Sequence, residues 1–115
     1  SVKHCVDILK QAGINTSVVV DLSHGNSNKI YKNQILVADA ICQQLLEGNN
    51  NLIGIMIESN INEGKQKLNN IKDLKYGVSI TDGCINIKTT EKVLEKLFMS
   101  LKQRFNYIET NKNLL

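Results

Sequence analysis

Two short runs rich in β-branched apolar residues constrain this chain more than anything else in it: Thr16-Ser17-Val18-Val19-Val20-Asp21-Leu22 and Leu52-Ile53-Gly54-Ile55-Met56-Ile57. A strand with one wet face alternates polar and apolar residues, and these do not, so each run predicts a strand buried on both faces. Between them, from about 29 to 47, Ile30, Val37, Ala38, Ile41, Cys42 and Leu45 recur at helical spacing, and Gly48 stops the pattern. Residues 2–12 carry Val2, Cys5, Val6, Leu9 and Ala12 on one face, and Gly13 follows as a cap. A last helix, about 90–108, shows Leu94, Leu97, Phe98, Leu101, Phe105 and Ile108 in the same rhythm. Residues 59–88 read as a long polar loop with one strand-like piece at Val78-Ser79-Ile80.

The order α-β-α-β-loop-α predicts parallel strands joined by helical crossovers. Two parallel strands leave edges and faces that need covering, so they do not make a stable sheet alone. A complete α/β barrel takes about 250 residues, against the 115 present. The chain opens without Met directly into helical periodicity. The expectation is therefore one piece of a larger α/β domain, with no internal repeat or linker.

Composition narrows the function. Hydrophobic residues at 42% and charged residues at 22% are ordinary for a globular domain. No apolar run approaches the ~20 residues a spanning helix needs, and no basic and apolar leader opens the chain. The net charge of +3, from 13 Lys and 1 Arg against 11 acidic residues, is spread along helix faces, and aromatics make up only 4%. Nucleic-acid surfaces cluster their cations and interleave aromatics, so neither nucleic acid nor membrane is expected as a partner. Cys5, Cys42 and Cys84 are odd in number and lack a CxxC pair, which points to a reducing cytoplasm rather than a disulfide framework or zinc ribbon. Cys5 and Cys42 read as inward packing residues, and Cys84 as a small buried hydrophobe within reach of Asp82.

Three polar residues stand out by position. His24 follows the first strand, Glu58 ends the second, and Asp82 lies in the long segment after it. Loops at the C-terminal ends of parallel strands surround one pocket. Imidazole with two carboxylates suits a divalent cation of the Mn, Fe, Co or Zn kind rather than an all-oxygen cage. Each residue also has a plainer reading: a solvated loop residue or helix cap for His24 and Glu58, a turn initiator beside Gly83 for Asp82, although a carboxylate ending an apolar strand is costly to bury without a partner. The Gly25–Lys29 loop offers backbone N–H groups that suit a phosphate or, more simply, a cap. Lys65, Lys67, Lys72, Lys75 and His4 read as surface.

Local strings carry a resemblance. Asp21-Leu22-Ser23-His24-Gly25-Asn26-Ser27-Asn28-Lys29, Gly54-Ile55-Met56-Ile57-Glu58-Ser59, Glu63-Gly64-Lys65-Gln66 and Tyr76-Gly77-Val78-Ser79-Ile80-Thr81-Asp82-Gly83-Cys84-Ile85 stand in order and at matching gaps. They resemble the D-[FL]-S-H-[AG]-N-S-x-K, G-[VI]-M-[VI]-E-S, E-G-x-Q and Y-G-x-S-I-T-D-[AG]-C-I segments of class I 3-deoxy-D-arabino-heptulosonate 7-phosphate (DAHP) synthases. The resemblance implies the C-terminal part of a (β/α)8 TIM barrel: its last two strands and flanking helices, residues 1–115 lying within a single catalytic domain. It implies condensation of phosphoenolpyruvate with erythrose 4-phosphate, releasing phosphate, at the start of the shikimate route to aromatic amino acids. His24, Glu58 and Asp82 fall on the family's metal-ligand positions. The family's fourth ligand, a Cys ending the first barrel strand, and its phosphate-binding Arg and Lys residues precede Ser1, so Cys84 is not a substitute and no catalytic side chain is assigned. The piece alone is expected to be inactive, and the full-length protein to be a cytoplasmic homo-oligomer. Two other readings are the related 3-deoxy-D-manno-octulosonate 8-phosphate synthase and a non-catalytic remnant that binds a partner.

Overall fold

A computed structural model describes residues 1–112. Helix α1 (Val2–Gln11) starts at Ser1, whose hydroxyl oxygen accepts the His4 N–H at 3.3 Å. It ends ahead of Gly13, which takes the left-handed backbone (φ 67°) that closes helices. Val6 is its buried contact, whereas Cys5, expected to face inward, is exposed.

Strands β1 (Val18–Asp21) and β2 (Leu52–Met56) pair in parallel, with Val20 beside Ile55 and Asp21 beside Met56. The crossover between them is two 3-10 turns, Gly25–Ser27 and Tyr31–Asn33, running into α2 (Gln34–Leu46). The helix therefore begins later than its apolar spacing predicted. Asn28 and Lys29 both have positive φ (54° and 59°), a conformation no right-handed helix continues, and Ile30 is left exposed.

The core lies where β1 and β2 meet α2 and α3 (Ile87–Lys112): Val20, Leu22, Ala38, Ile41, Cys42, Leu45, Leu52, Val93 and Leu97. Each large side chain buried there contributes about 1.5–3 kcal/mol. Cys42 packs as expected. The strands are covered on one face only: Val19 and Ile53 are 59% and 65% exposed, against the expectation of burial on both faces. Both helices lie on the side of Val20 and Leu22, and among the described residues nothing matches them on the other.

Helix α3 packs through part of the predicted face, with Leu97 buried and Leu101 half-buried against the core, but the rest of that face is turned outward. Val93, Leu97 and Ser100 are buried, while Leu94, Phe98, Phe105 and Ile108 are exposed. It carries two adjacent apolar stripes, and α2 covers the narrower one. The Lys96 ammonium meets the Asp39 carboxylate at 2.7 Å across the helix pair.

A second parallel sheet joins β3 (Ser59–Asn60) to β4 (Ile85–Asn86), closing the long loop between them. The strand-like Val78–Ile80 forms no strand; Ser79 alone makes an isolated bridge to Lys65. The architecture is thus a small α/β unit with two two-stranded sheets. No helix among the described residues is long and apolar enough to cross a membrane.

Candidate metal centre

Each of the three predicted residues is delivered by a different element, and local chemistry holds each one. Strand β1 ends at Asp21, and the chain then turns back on that side chain. Asp21 Oδ1 accepts the Ser23 N–H at 2.8 Å, the Ser23 hydroxyl at 2.9 Å and the His24 N–H at 3.3 Å. This is the Asx-turn chemistry that suits an aspartate at a strand end. Leu22, fully buried, anchors the turn from below. The hydroxyl of Ser27, also fully buried, donates to the Ser23 carbonyl at 2.7 Å and fixes the far side. His24 therefore emerges from a rigid corner.

The other Asp21 oxygen, Oδ2, lies 2.7 Å from His24 Nδ1. A carboxylate there favours a proton on Nδ1 and leaves Nε2 as the outward-facing donor atom. Burial pushes the Asp21 carboxyl up, but the hydrogen bonds from Ser23 and His24 outweigh it and bring its pKa down from 3.8 to about 2. The hydrogen bond to Asp21, opposed by burial and helped by the charges of Asp21, Asp82 and Glu58, holds the His24 imidazole above its ordinary value.

Glu58 lies two residues past β2. Its backbone is gripped by Gln34, the first residue of α2, which is itself fully buried. The Glu58 N–H donates to Gln34 Oε1 at 3.0 Å, and Gln34 Nε2 donates to the Glu58 carbonyl at 3.1 Å. The Ile85 N–H adds a second bond to that carbonyl at 3.0 Å, tying in β4. A buried amide satisfied at both ends is an inflexible link, because breaking it strands buried polar groups.

Asp82 comes from the loop between β3 and β4. That loop is pinned by Gln66, whose side chain donates to the Lys75 and Val78 carbonyls (2.9 Å each) and accepts the Lys75 N–H at 2.9 Å. Reciprocal backbone bonds between Gly64 and Cys84 (2.9 and 3.1 Å) clamp its base. The loop folds back so that Asp82 Oδ2 lies 3.4 Å from His24 Nε2, and Glu58 Oε1 lies 3.6 Å from the same nitrogen.

One donor atom from each of His24, Glu58 and Asp82 falls within a 4.8 Å span. Metal–ligand bonds of about 2.0–2.2 Å set two ligands of one cation roughly 3.0–3.5 Å apart, and the two distances from His24 Nε2, 3.4 Å to Asp82 and 3.6 Å to Glu58, lie at that spacing. The donor set of one imidazole and two carboxylates fits a shared divalent ion as well. Asp82, with 62% of its side chain exposed, leaves the approach open. Cys84 is buried, and burial first, then the Glu58 and Asp82 charges, push its thiol up against an opposing hydrogen bond from Ser79. Among the described residues Cys84 places no atom in the cluster of His24, Glu58 and Asp82, and it packs as a hydrophobe. Lys65, Lys67, Lys72, Lys75 and His4 are exposed, and the Gly25–Ser27 turn serves the His24 corner.

Sequence reading did not single out Asp21 or Gln34 as parts of the site. For Asp21 a signal existed: an acidic residue three positions before a candidate histidine ligand. For Gln34 none did, since its partner is the backbone of a residue 24 positions away.

Comparison with known proteins agrees with these strings. Residues 1–95 match the DAHP synthetase I family. The Tyr-sensitive phospho-2-dehydro-3-deoxyheptonate aldolase of Escherichia coli K12 is 45% identical over 101 residues, covering 87% of this chain and 28% of the relative. The phenylalanine-inhibited enzyme of Saccharomyces cerevisiae is 48% identical over 111 residues, covering 90% and 30%. A solved structure of phospho-2-dehydro-3-deoxyheptonate aldolase from Francisella tularensis SCHU S4 superposes with a TM-score of 0.84 at 45% identity, over 90% of this chain and 30% of that one. The chain thus spans under a third of the length of each of these three relatives. With its backbone, its motif strings and most of its length in common with these proteins, the chain belongs to the DAHP synthetase I family.

Proposed function

We propose that this chain is the C-terminal portion of a DAHP synthase and supplies three ligands of its divalent-metal site. In this reading β1 and β2 are the last two strands of a (β/α)8 barrel, and residues 1–115 lie within one catalytic domain. The observation that carries it is the convergence of His24, Glu58 and Asp82, from three separate elements, on one spot at the C-terminal ends of the paired strands. The names of the matched relatives support the heptonate product and do not favour the octulosonate alternative.

The reaction joins phosphoenolpyruvate to erythrose 4-phosphate, with loss of phosphate. A bound cation of the Mn, Fe, Co or Zn type would supply Lewis acidity toward the aldehyde oxygen of erythrose 4-phosphate. His24 Nε2, Glu58 and Asp82 would hold it. Asp21 keeps the His24 proton on Nδ1, and Gln34 fixes the backbone from which Glu58 projects. The fourth ligand and the phosphate-binding side chains are expected from parts of the protein outside this chain, so the isolated chain should not turn over. Homo-oligomerisation of the full-length protein and a cytoplasmic setting belong to the same proposal; the three free cysteines suit the latter.

The test is phosphate release by the full-length protein with both substrates, before and after chelation. His24→Ala, Glu58→Ala and Asp82→Ala should each cut metal-dependent turnover by about a hundredfold or more, as lost metal-site groups do. Any one of them retaining near-normal turnover at low metal would remove that residue from the site. An eight-carbon product needs a five-carbon aldose phosphate, so preference for that over the four-carbon sugar would overturn the heptonate assignment.

A further inference from the structure

Four consecutive residues outside the ligand set, Tyr31 to Gln34, touch all three ligand-bearing segments. Asn33 Nδ2 donates to the Ser27 carbonyl at 3.1 Å, within the turn that follows His24. Gln34 holds both backbone polar groups of Glu58. Tyr31 lies against Gly83, the residue directly after Asp82. A methyl group on Gly83 would stand 2.9 Å from Tyr31 Cδ1 and 3.4 Å from Tyr31 Cβ. Gly83 has no positive φ, so its missing side chain serves this close approach and not an unusual backbone. The Tyr31 hydroxyl reaches to 4.0 Å from where a Cβ on Gly64 would lie, at the base of the same loop. Gly64 in turn pairs with Cys84 through two backbone hydrogen bonds.

These contacts differ in kind. His24 and Glu58 are held by polar links at or next to their own backbones. Asp82 sits on an exposed loop whose Gln66 clasp lies well before it in sequence, and the ring of Tyr31 is the contact at its immediate neighbour. We infer that Tyr31 is a positioning residue for the metal centre, a buttress that presses the Asp82 loop toward His24 and Glu58. The short turn carrying Tyr31 runs straight into Gln34, so one rigid stretch sets the spacing between the second and third ligands. This inference rests on the metal reading above. The ring does the work and the hydroxyl does not, because the closest approach is made by Cδ1 and Cβ.

Two measurements on the full-length protein test it, with far-UV circular dichroism and exchange at the β1–β2 amides as controls for folding. The first, without metal, is amide hydrogen exchange at Gly64 and Cys84. Tyr31→Ala should speed exchange at both by about tenfold while β1–β2 stays protected. The second is calorimetric titration with MnCl2. Tyr31→Ala should weaken Mn2+ binding by about 10- to 100-fold, the usual cost of losing a group that orients a ligand, and Tyr31→Phe should bind as the parent does. Unchanged exchange and affinity in Tyr31→Ala would overturn the buttress. A parent chain that takes up no Mn2+ while Tyr31→Ala still frees Gly64 and Cys84 supports the buttress and overturns the metal reading.

Discussion

Replacing Asp21 by Asn changes one atom that faces His24 and leaves the rest of the corner standing. Asp21 Oδ1 accepts three donors from Ser23 and His24, and an asparagine keeps that oxygen there. Its NH2 group then replaces Oδ2, 2.7 Å from His24 Nδ1. An amide donates where a carboxylate accepts, so Nδ1 must give up its hydrogen and the proton moves to Nε2, the atom meant for the cation. Metal binding would have to reverse that tautomer and break the new bond. A neutral hydrogen bond is worth about 0.5–1.5 kcal/mol and one to a charged group about 1.5–3 kcal/mol. Asp21 and His24 have 42% and 37% of their side chains exposed, so solvent screening places the loss near the lower values. The expected cost is roughly 10- to 30-fold in Kd, at the lower end of what losing a group that orients a metal ligand costs. Calorimetric titration of the chain with MnCl2 or ZnCl2 measures it, and nitrogen-15 spectra of the His24 ring report the tautomer. Binding within threefold of the parent, with the proton still on Nδ1, would refute the reasoning.

Two more outcomes follow from the same geometry and packing. His24 titrates above its ordinary 6.5, chiefly through its hydrogen bond to Asp21. A proton on Nε2 competes with the cation, so Mn2+ affinity should be full above that raised value and fall as pH drops through it, with the decline starting above pH 6.5; an affinity flat from pH 8 to 5.5 would exclude His24 as a ligand. Leu22 is fully buried in the core beneath the His24 corner, so Leu22→Ala should cost about 2–5 kcal/mol, seen as a lower urea midpoint with little change in slope.

The strands and their order were legible because burial writes itself into uninterrupted apolar runs, as at Val18–Val20 and Leu52–Ile57. The three candidate ligands were legible for a related reason, since a polar residue at the end of such a run stands out. What stayed hidden depends on partners remote in sequence. Helical spacing marks α3 as amphipathic but does not decide which of two neighbouring stripes meets α2, so Phe98 and Phe105 were placed inward while Val93 and Ser100 hold that position. The start of α2 was displaced by a backbone event at Asn28 and Lys29 that side-chain pattern does not register. Gln34 looked like an ordinary polar residue opening a helix, because its value lies in the backbone of Glu58. The buried half of each strand was foreseen; the open half, at Val19 and Ile53, has apolar residues without a described layer over them.

The three candidate ligands stand at positions 24, 58 and 82, so no contiguous peptide contains a site. Bringing them together requires the β1–β2 crossover to close and the β3–β4 loop to fold back, two non-local steps that carry their chain-entropy cost first. A cation offered to the unfolded chain would find isolated donors, and only the assembled fold would hold it by three. Metal uptake in this reading is therefore a report on folding, with saturation at a hundred times Kd adding about 2.7 kcal/mol to the stability of the native state. In that reading the ion would act as a late staple: it would not guide the chain to its fold, but once the corners had met it would make their separation costly.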